Sequence, residues 1–281
     1  MRLAVDCRMY GKSGIGSFLA GVLPFLCADG DMDSILLLAG EAPVPGLDGL
    51  VRDFSQKAFL LHCGVKPFSI RELLFFPRKL AAMINSCDCY FSPYCNVPAG
   101  IKIPVYTTIH DLVFLDFPGL AGRVGVLARK ILYKYAVFRS KAVFTVSEFS
   151  RGRILELLSC RKPVYVACNG IPRFLEDARR NGRLEGRTAD TSAGASDPQE
   201  DFVIFVGNIK AHKGLRTLLE AFPAFRAKTG ARLVIVGSAE NFRTKDEAVS
   251  RLLAGGMDGI EFTGYVSDEK LVDLLSSARL L

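Results

Sequence analysis

Arg2-Leu3-Ala4-Val5-Asp6 and, a short way on, Gly11-Lys12-Ser13-Gly14-Ile15-Gly16-Ser17 open the chain. The first run is short and apolar, which suits a strand covered on both faces. The glycines suit a sharp turn, and residues 18–27 then place apolar side chains at helical spacing. Strand, glycine turn and helix form the unit from which a parallel sheet with covering helices is assembled. The same alternation continues outward. Strands are predicted at 34–39, 57–61, 89–92, 105–110, 142–146 and 164–167, and helices at 70–85, 124–138 and 149–158. Residues 177–200 are rich in Arg, Asp, Ser, Gly and Ala and read as a flexible linker or exposed loop. Beyond them strands are predicted at 202–206, 232–236 and 259–262, helices at 214–228, 244–254 and 268–277, and a last strand begins at 279–281. The expected class is α/β, with two Rossmann-like parallel-sheet domains over residues 1–176 and 201–281. A doubly wound domain usually needs roughly 100–150 residues, so the second is expected to be incomplete, with the protein truncated at its C-terminal end.

Composition narrows the class further. The 281 residues are 49% hydrophobic and 23% charged, with a formal net charge of +7, which excludes collagen-like, disordered and small disulfide-stapled chains. No apolar run reaches the about 20 residues that a membrane-spanning helix needs. Asp6, Arg8 and Lys12 interrupt any apolar signal-peptide core, so a cytoplasmic location is expected. Eight scattered cysteines include no Cys-x-x-Cys pair. Cys87, Cys89 and Cys95 cluster, but without a second ligand pair they read as small buried hydrophobes.

Three motifs carry chemistry. Gly14, Ile15 and Gly16 lead into a helix whose N-terminal N–H groups could meet a phosphate or sugar hydroxyls; a plain tight turn would use the same glycines. Asp6 stands where the first glycine of a Walker A loop belongs, so that motif is excluded. A dehydrogenase of the Tyr-x-x-x-Lys type is disfavoured because neither Tyr133 nor Tyr135 has a lysine four residues later. His110 and Asp111 close a buried strand at its carboxyl end, where open α/β sheets bind ligands; a structural hydrogen-bonding histidine is the alternative. Gly207-Asn208-Ile209-Lys210-Ala211-His212-Lys213-Gly214 sits between a strand and a helix, and Lys213 there suits a diphosphate better than a solvated surface role.

The ordered set of motifs resembles a family 4 glycosyltransferase, the group 1 type with the GT-B fold. It comprises Ser13-Gly14-Ile15-Gly16, Phe91-Ser92-Pro93 with Asn96-Val97-Pro98, Ile109-His110-Asp111-Leu112, Thr145-Val146-Ser147-Glu148-Phe149-Ser150, Asn169-Gly170-Ile171 and Gly207 to Gly214. Val236-Gly237-Ser238 and Phe262-Thr263-Gly264-Tyr265-Val266 extend it. The resemblance implies two domains facing a cleft, an N-terminal acceptor domain and a C-terminal nucleotide-sugar domain. It implies retaining transfer from a nucleotide-diphosphate sugar to a glycan or lipid-linked acceptor in polysaccharide or cell-envelope assembly, with no metal or other cofactor. His110 would contact the donor sugar and Lys213 the leaving diphosphate. Gly207, Asn208 and His212 would line the donor site, and Gly264, Tyr265 and Val266 would read the nucleobase. Gly14, Ile15 and Gly16 would form the acceptor or phosphate loop. Asn208 and His212 stand where the family usually places an arginine, and the family's Glu-x7-Glu element is absent from residues 1–281. Impaired turnover is therefore expected, and a non-catalytic remnant that binds sugars or a partner is the alternative.

The charge is local. Residues 123–162 hold ten basic and two acidic side chains, a net +8. Lys130, Lys134, Arg139 and Lys141 lie in or just after a predicted helix that also carries Leu127, Ile131, Leu132, Tyr135 and Phe138. Such a segment could rest on an anionic membrane at the cytoplasmic face, or be a packed helix with a solvated basic side. Nucleic acid is not an expected partner, because no aromatic platform accompanies the charge.

Overall fold

The computed structural model describes residues 1–184, 201–207, 213–237, 249 and 258–281. The chain divides into two compact units, Met1–Ile171 and Pro172–Leu281, and each is described by itself.

The first unit is a seven-stranded sheet. Its strands are β1 (Arg2–Asp6), β2 (Ser34–Ala39), β3 (Ala58–His62), β4 (Cys89–Ser92), β5 (Val105–Thr108), β6 (Ser140–Thr145) and β7 (Val164–Val166). They lie in the order β3-β2-β1-β4-β5-β6-β7, and every pairing is parallel. Parallel neighbours need crossovers, and helices supply them: α1 (Ser13–Ala28), α2 (Pro45–Asp53), α3 (Ile70–Leu74), α4 (Arg78–Ile84), α5 (Val113–Asp116), α6 (Gly122–Arg139) and α7 (Glu148–Leu158). Because helices cover both faces, β1 has four of its five residues buried and β4 all four. One core cluster packs Leu19, Leu23 and Cys27 of α1 on Val5, Ile35 and Leu37; a second packs Ala81 and Ile84 of α4 on Ala4, Leu38 and Tyr90. The chain leaves β1 for β2 on one side and reaches β4 on the other, so the topological switch point lies between the carboxyl ends of β1 and β4.

The second unit has the strands β8 (Phe202–Val206), β9 (Arg232–Val236) and β10 (Ile260–Gly264), in the order β10-β9-β8, all parallel. Helix α8 (Arg173–Arg180), α9 (Leu215–Thr229) and α10 (Asp268–Ser277) accompany them. Leu280 makes an isolated parallel bridge to Val203, where the sequence predicts a further strand. In both units the expected α/β parallel-sheet class holds.

Two local expectations change. The predicted helix over 70–85 is two helices, α3 and α4, because Pro77 stands at the N-cap of α4 and has no N–H to continue the first. The first residues of the linker predicted over 177–200 are helical instead. Helix α8 runs through residue 180 and buries Ala178, and Arg183 pairs with Asp273 of α10 at 2.8 Å. The remainder of that stretch, 185–200, and the helix predicted over 244–254 lie outside the described residues, Val249 excepted. Of the eight free cysteines, six are buried, Cys87 is half-buried and Cys168 is exposed.

Candidate active site

At the switch point the carboxyl end of β1 meets that of β4 through a buried ion network. Asp6 closes β1 and Arg8 lies in the turn that follows, its amide donating to Asp6 Oδ1 at 3.2 Å, which holds the two side chains together. Arg8 donates through Nε to Asp6 Oδ1 at 2.9 Å, through Nη1 to the Val65 carbonyl at 2.9 Å, and through Nη2 to Tyr94 at 3.0 Å. The same Nη2 reaches Glu72 of α3. Asp6 Oδ2 accepts from Tyr90 at 2.8 Å and Tyr94 at 2.6 Å. Glu72 also accepts from the Phe68 amide at 2.8 Å and from Asn96. Both carboxylates are fully buried and Arg8 is 3% exposed. Burial pushes the Asp6 carboxyl up, but the Arg8 charge and the hydrogen bonds from Arg8, Tyr94 and Tyr90 outweigh it and hold its pKa below the ordinary value.

The glycine turn rises from this base. Gly11 has φ 70° and Ser13, the first residue of α1, has φ 56°. Gly16 is a packing glycine, since a Cβ there would lie 2.7 Å from both the Gly11 amide nitrogen and the Met9 carbonyl oxygen. Gly14 differs: it is exposed and a Cβ would meet nothing within 4 Å, so its backbone is open to a ligand at the α1 N-terminus. Ile15 is half-buried between them. Phe18, one turn into α1, makes a T-shaped contact with the His110 ring, with centroids 5.3 Å apart and an interplanar angle of 90°. The structure thus brings the loop and His110 together, as the sequence could not show.

His110 follows β5 and is half-buried. Its Nε2 lies 2.9 Å from the Pro93 carbonyl. A carbonyl only accepts, so Nε2 carries the proton. Burial pulls the His110 pKa below the ordinary value, against the opposing pull of the Pro93 bond and Asp111, so the ring is neutral at pH 7 and Nδ1 keeps its lone pair. Ser150 of α7 donates to the His110 carbonyl at 2.9 Å, which fixes the backbone. Such a histidine is built to accept a hydrogen bond rather than to deliver a proton. Asp111 turns back to accept the Val113 amide at 3.2 Å at the start of α5.

The second unit gathers its residues at the carboxyl ends of three strands. The Gly207 amide donates to the Val236 carbonyl and the Gly237 amide to the Gly264 carbonyl, each at 2.9 Å, linking the ends of β8, β9 and β10. Gly264 has φ 70°, Tyr265 is 85% exposed and Val266 packs on the sheet. Lys213 is exposed beside Gly214, whose φ of 74° starts α9. The expected donor residues Asn208 and His212 lie outside the described residues. Among the described residues no group of three His, Cys, Asp or Glu side chains is placed to hold a metal ion.

Sequence reasoning misses the Asp6–Arg8–Glu72 network. The available signal is a charged pair closing an apolar strand, together with a lone glutamate among apolar residues in α3.

The chain as a whole is similar to several known proteins. Residues 200–281 match a family of glycosyl transferases described as group 1. An O-antigen chain mannosyltransferase B from Escherichia coli is 22% identical, over 98% of this chain and 74% of that protein. Among solved structures, Anabaena HepE in complex with UDP and glucose superposes with TM-score 0.59 at 14% identity, covering 99% of this chain and 72% of that one. A UDP-GlcNAc 2-epimerase from Neisseria meningitidis, bound to UDP-GlcNAc, gives 0.53 at 15% identity, over 100% and 76%.

Two outcomes are expected. Arg8→Met leaves two buried carboxylates unpaired and should cost about 3–5 kcal/mol at pH 7, measured by urea unfolding. In the unsubstituted protein the contribution of Asp6, whose folded pKa is depressed, is present above the unfolded value of ~3.9 and lost as pH falls through the folded value. Gly16→Ala must displace the loop backbone and should destabilise by about 1–3 kcal/mol; an unchanged melting curve would contradict the packing described.

Proposed function

We propose that this chain, a member of the group 1 glycosyltransferases, moves a sugar from a nucleotide-diphosphate sugar to a hydroxyl of a glycan or lipid-linked acceptor in polysaccharide assembly. The observation that carries the reading is the row of strand ends in the second unit, where backbone hydrogen bonds join Gly207 to Val236 and Gly237 to Gly264, together with Lys213 just before the N-cap of α9. Open backbone at strand ends and a cation at a helix N-terminus suit a nucleoside diphosphate. Lys213 neutralises the diphosphate as it departs, where charge develops. His110 accepts a hydrogen bond from a hydroxyl of the donor sugar at Nδ1. Gly14 approaches the acceptor or the phosphates, while Gly16 packs the loop behind it.

Transfer proceeds with retention. The bond from the anomeric carbon to the diphosphate oxygen breaks, the acceptor oxygen bonds on the same face, and its proton passes to the departing diphosphate. No metal is needed in this scheme, because Lys213 and the helix N-terminus carry the counter-charge. Helix α6 supports a location at an anionic membrane surface: Val124, Leu127, Ile131 and Phe138 are 60–83% exposed on it, with Arg123 and Lys134 exposed beside them. Among the described residues no helix is long and apolar enough to cross a membrane.

Calorimetry with a panel of nucleoside diphosphates and their sugars tests this. Lys213→Ala should weaken binding of both by about 10–100-fold, the loss of one charge-assisted hydrogen bond. His110→Ala should weaken only the nucleotide sugar, leaving the free diphosphate bound as before. Equal affinities in Lys213→Ala and the unsubstituted chain would remove the lysine from the site, and failure of the whole panel to bind would overturn the reading.

A further inference from the structure

A second stretch of the first unit, distinct in sequence from α6, combines exposed apolar side chains with positive charge. It lies on α3 and the loop before it, which follow the edge strand β3. Ile70 is 72% exposed, Leu74 64%, Phe75 71% and Phe68 48%. These four large hydrophobics lie within eight residues, far more apolar surface than scattered exposure explains.

The exposure is built in. Glu72, on the opposite side of this one short helix, is fully buried and paired with Arg8, and its carboxylate also accepts the Phe68 amide at 2.8 Å. Phe68 is held at φ 60°, a left-handed conformation that a bulky side chain rarely adopts, and its ring leans on Tyr94 with centroids 5.0 Å apart. The helix cannot roll to hide Ile70 and Leu74 without pulling Glu72 out of the network. A buried ion pair and a strained residue therefore keep the apolar side facing outward.

The charge around it identifies what covers it. Lys66, Arg71, Arg78 and Lys79 are exposed and make no ion pair among the described residues. Between residues 54 and 87 Glu72 is the only acidic residue, and it is buried. Within that stretch the exposed side chains thus include cations and apolar groups but no carboxylate, and the exposed carboxylate of Glu41 lies against Gly64, at the margin before Lys66. A second copy of this chain placed symmetrically on it would set like charges against each other.

We propose that the α3 segment docks on an anionic lipid surface, with Ile70, Leu74 and Phe75 entering the acyl boundary and the four cations meeting headgroup phosphates. This contact uses residues other than those exposed on α6. It deepens the proposed function by favouring a lipid-linked acceptor over a soluble one, and it rests on that reading only for that step.

The sequence contains no tryptophan, so Phe75→Trp supplies a single fluorescent reporter on the full chain, with Ile70→Trp as a second in case the first perturbs folding. Phe138→Trp reports on α6. Each is titrated with phosphatidylcholine vesicles, with and without phosphatidylglycerol. The expected result is an emission shift to shorter wavelength and quenching by brominated acyl chains at positions 75 and 70, with phosphatidylglycerol only, weakening as salt rises. Adding Lys66→Gln with Arg71→Gln should lower partitioning by roughly an order of magnitude. A response at 138 alone, an equal response to neutral vesicles, or no response at all overturns the proposal. So does a shift produced by protein concentration or an acidic protein instead of lipid. Nucleoside diphosphate binding, measured on the same samples, reports separately on the glycosyltransferase reading.

Discussion

A single arginine side chain organises the first unit. Arg8 leaves the end of β1 and is bound to Asp6, Glu72, Tyr94 and the Val65 carbonyl, all away from water. Two carboxylates and a guanidinium in the interior are tolerated only because nearly every polar atom among them has a partner. The consequence is geometric. The partners come from β1, the loop after β3, α3 and the turn after β4, so one buried group sets four segments of the protein against each other at the switch point of the sheet.

What stands on that base follows from it. The turn after β4 carries Tyr94 into the network and also carries Pro93, whose carbonyl fixes the His110 ring. The loop after β1 carries Arg8 and then the glycine turn, and α1 returns Phe18 to pack against the same ring. Histidine tautomer, loop position and the outward face of α3 are therefore tied to one electrostatic centre, although only His110 and the glycines have a chemical role in the proposed reaction. The second unit reaches a comparable arrangement with backbone alone, through amide-to-carbonyl bonds that join the strand ends at Gly207, Gly237 and Gly264.

Much of this is legible in the sequence, and unevenly. Strands β8 and β9 and helix α10 carry the boundaries that the sequence predicts, because an apolar run bounded by turn residues, and a helix opened by Ser267 followed by Asp268 and Glu269, state their limits locally. The single helix predicted over 70–85 fails because its apolar spacing continues across Pro77, and that spacing masks the missing N–H. Helix α2 escapes notice because it spans only nine residues, opens on Pro45 and Gly46, which read as a turn, and buries only Leu47 and Leu50. At the site, His110 and Lys213 stand out from their place after strands. Phe18 and Pro93 cannot be assigned to His110 in the same way, since neither a ring contact nor a carbonyl leaves a mark in sequence.

The sequence by itself determined the order of the strands along the chain, the parallel character of both sheets and the strand-to-helix turns that bear the glycines, His110 and Lys213. All of these depend on near neighbours and on the repeat of apolar residues, which a polypeptide displays along its length. Only the tertiary structure decided that Glu72 lies inside while Ile70 and Leu74 lie outside. It alone joined Arg8 to partners 64 and 86 positions away. Those outcomes depend on which distant groups share a low-dielectric interior, where a charge must find its counter-charge. No local pattern encodes that pairing.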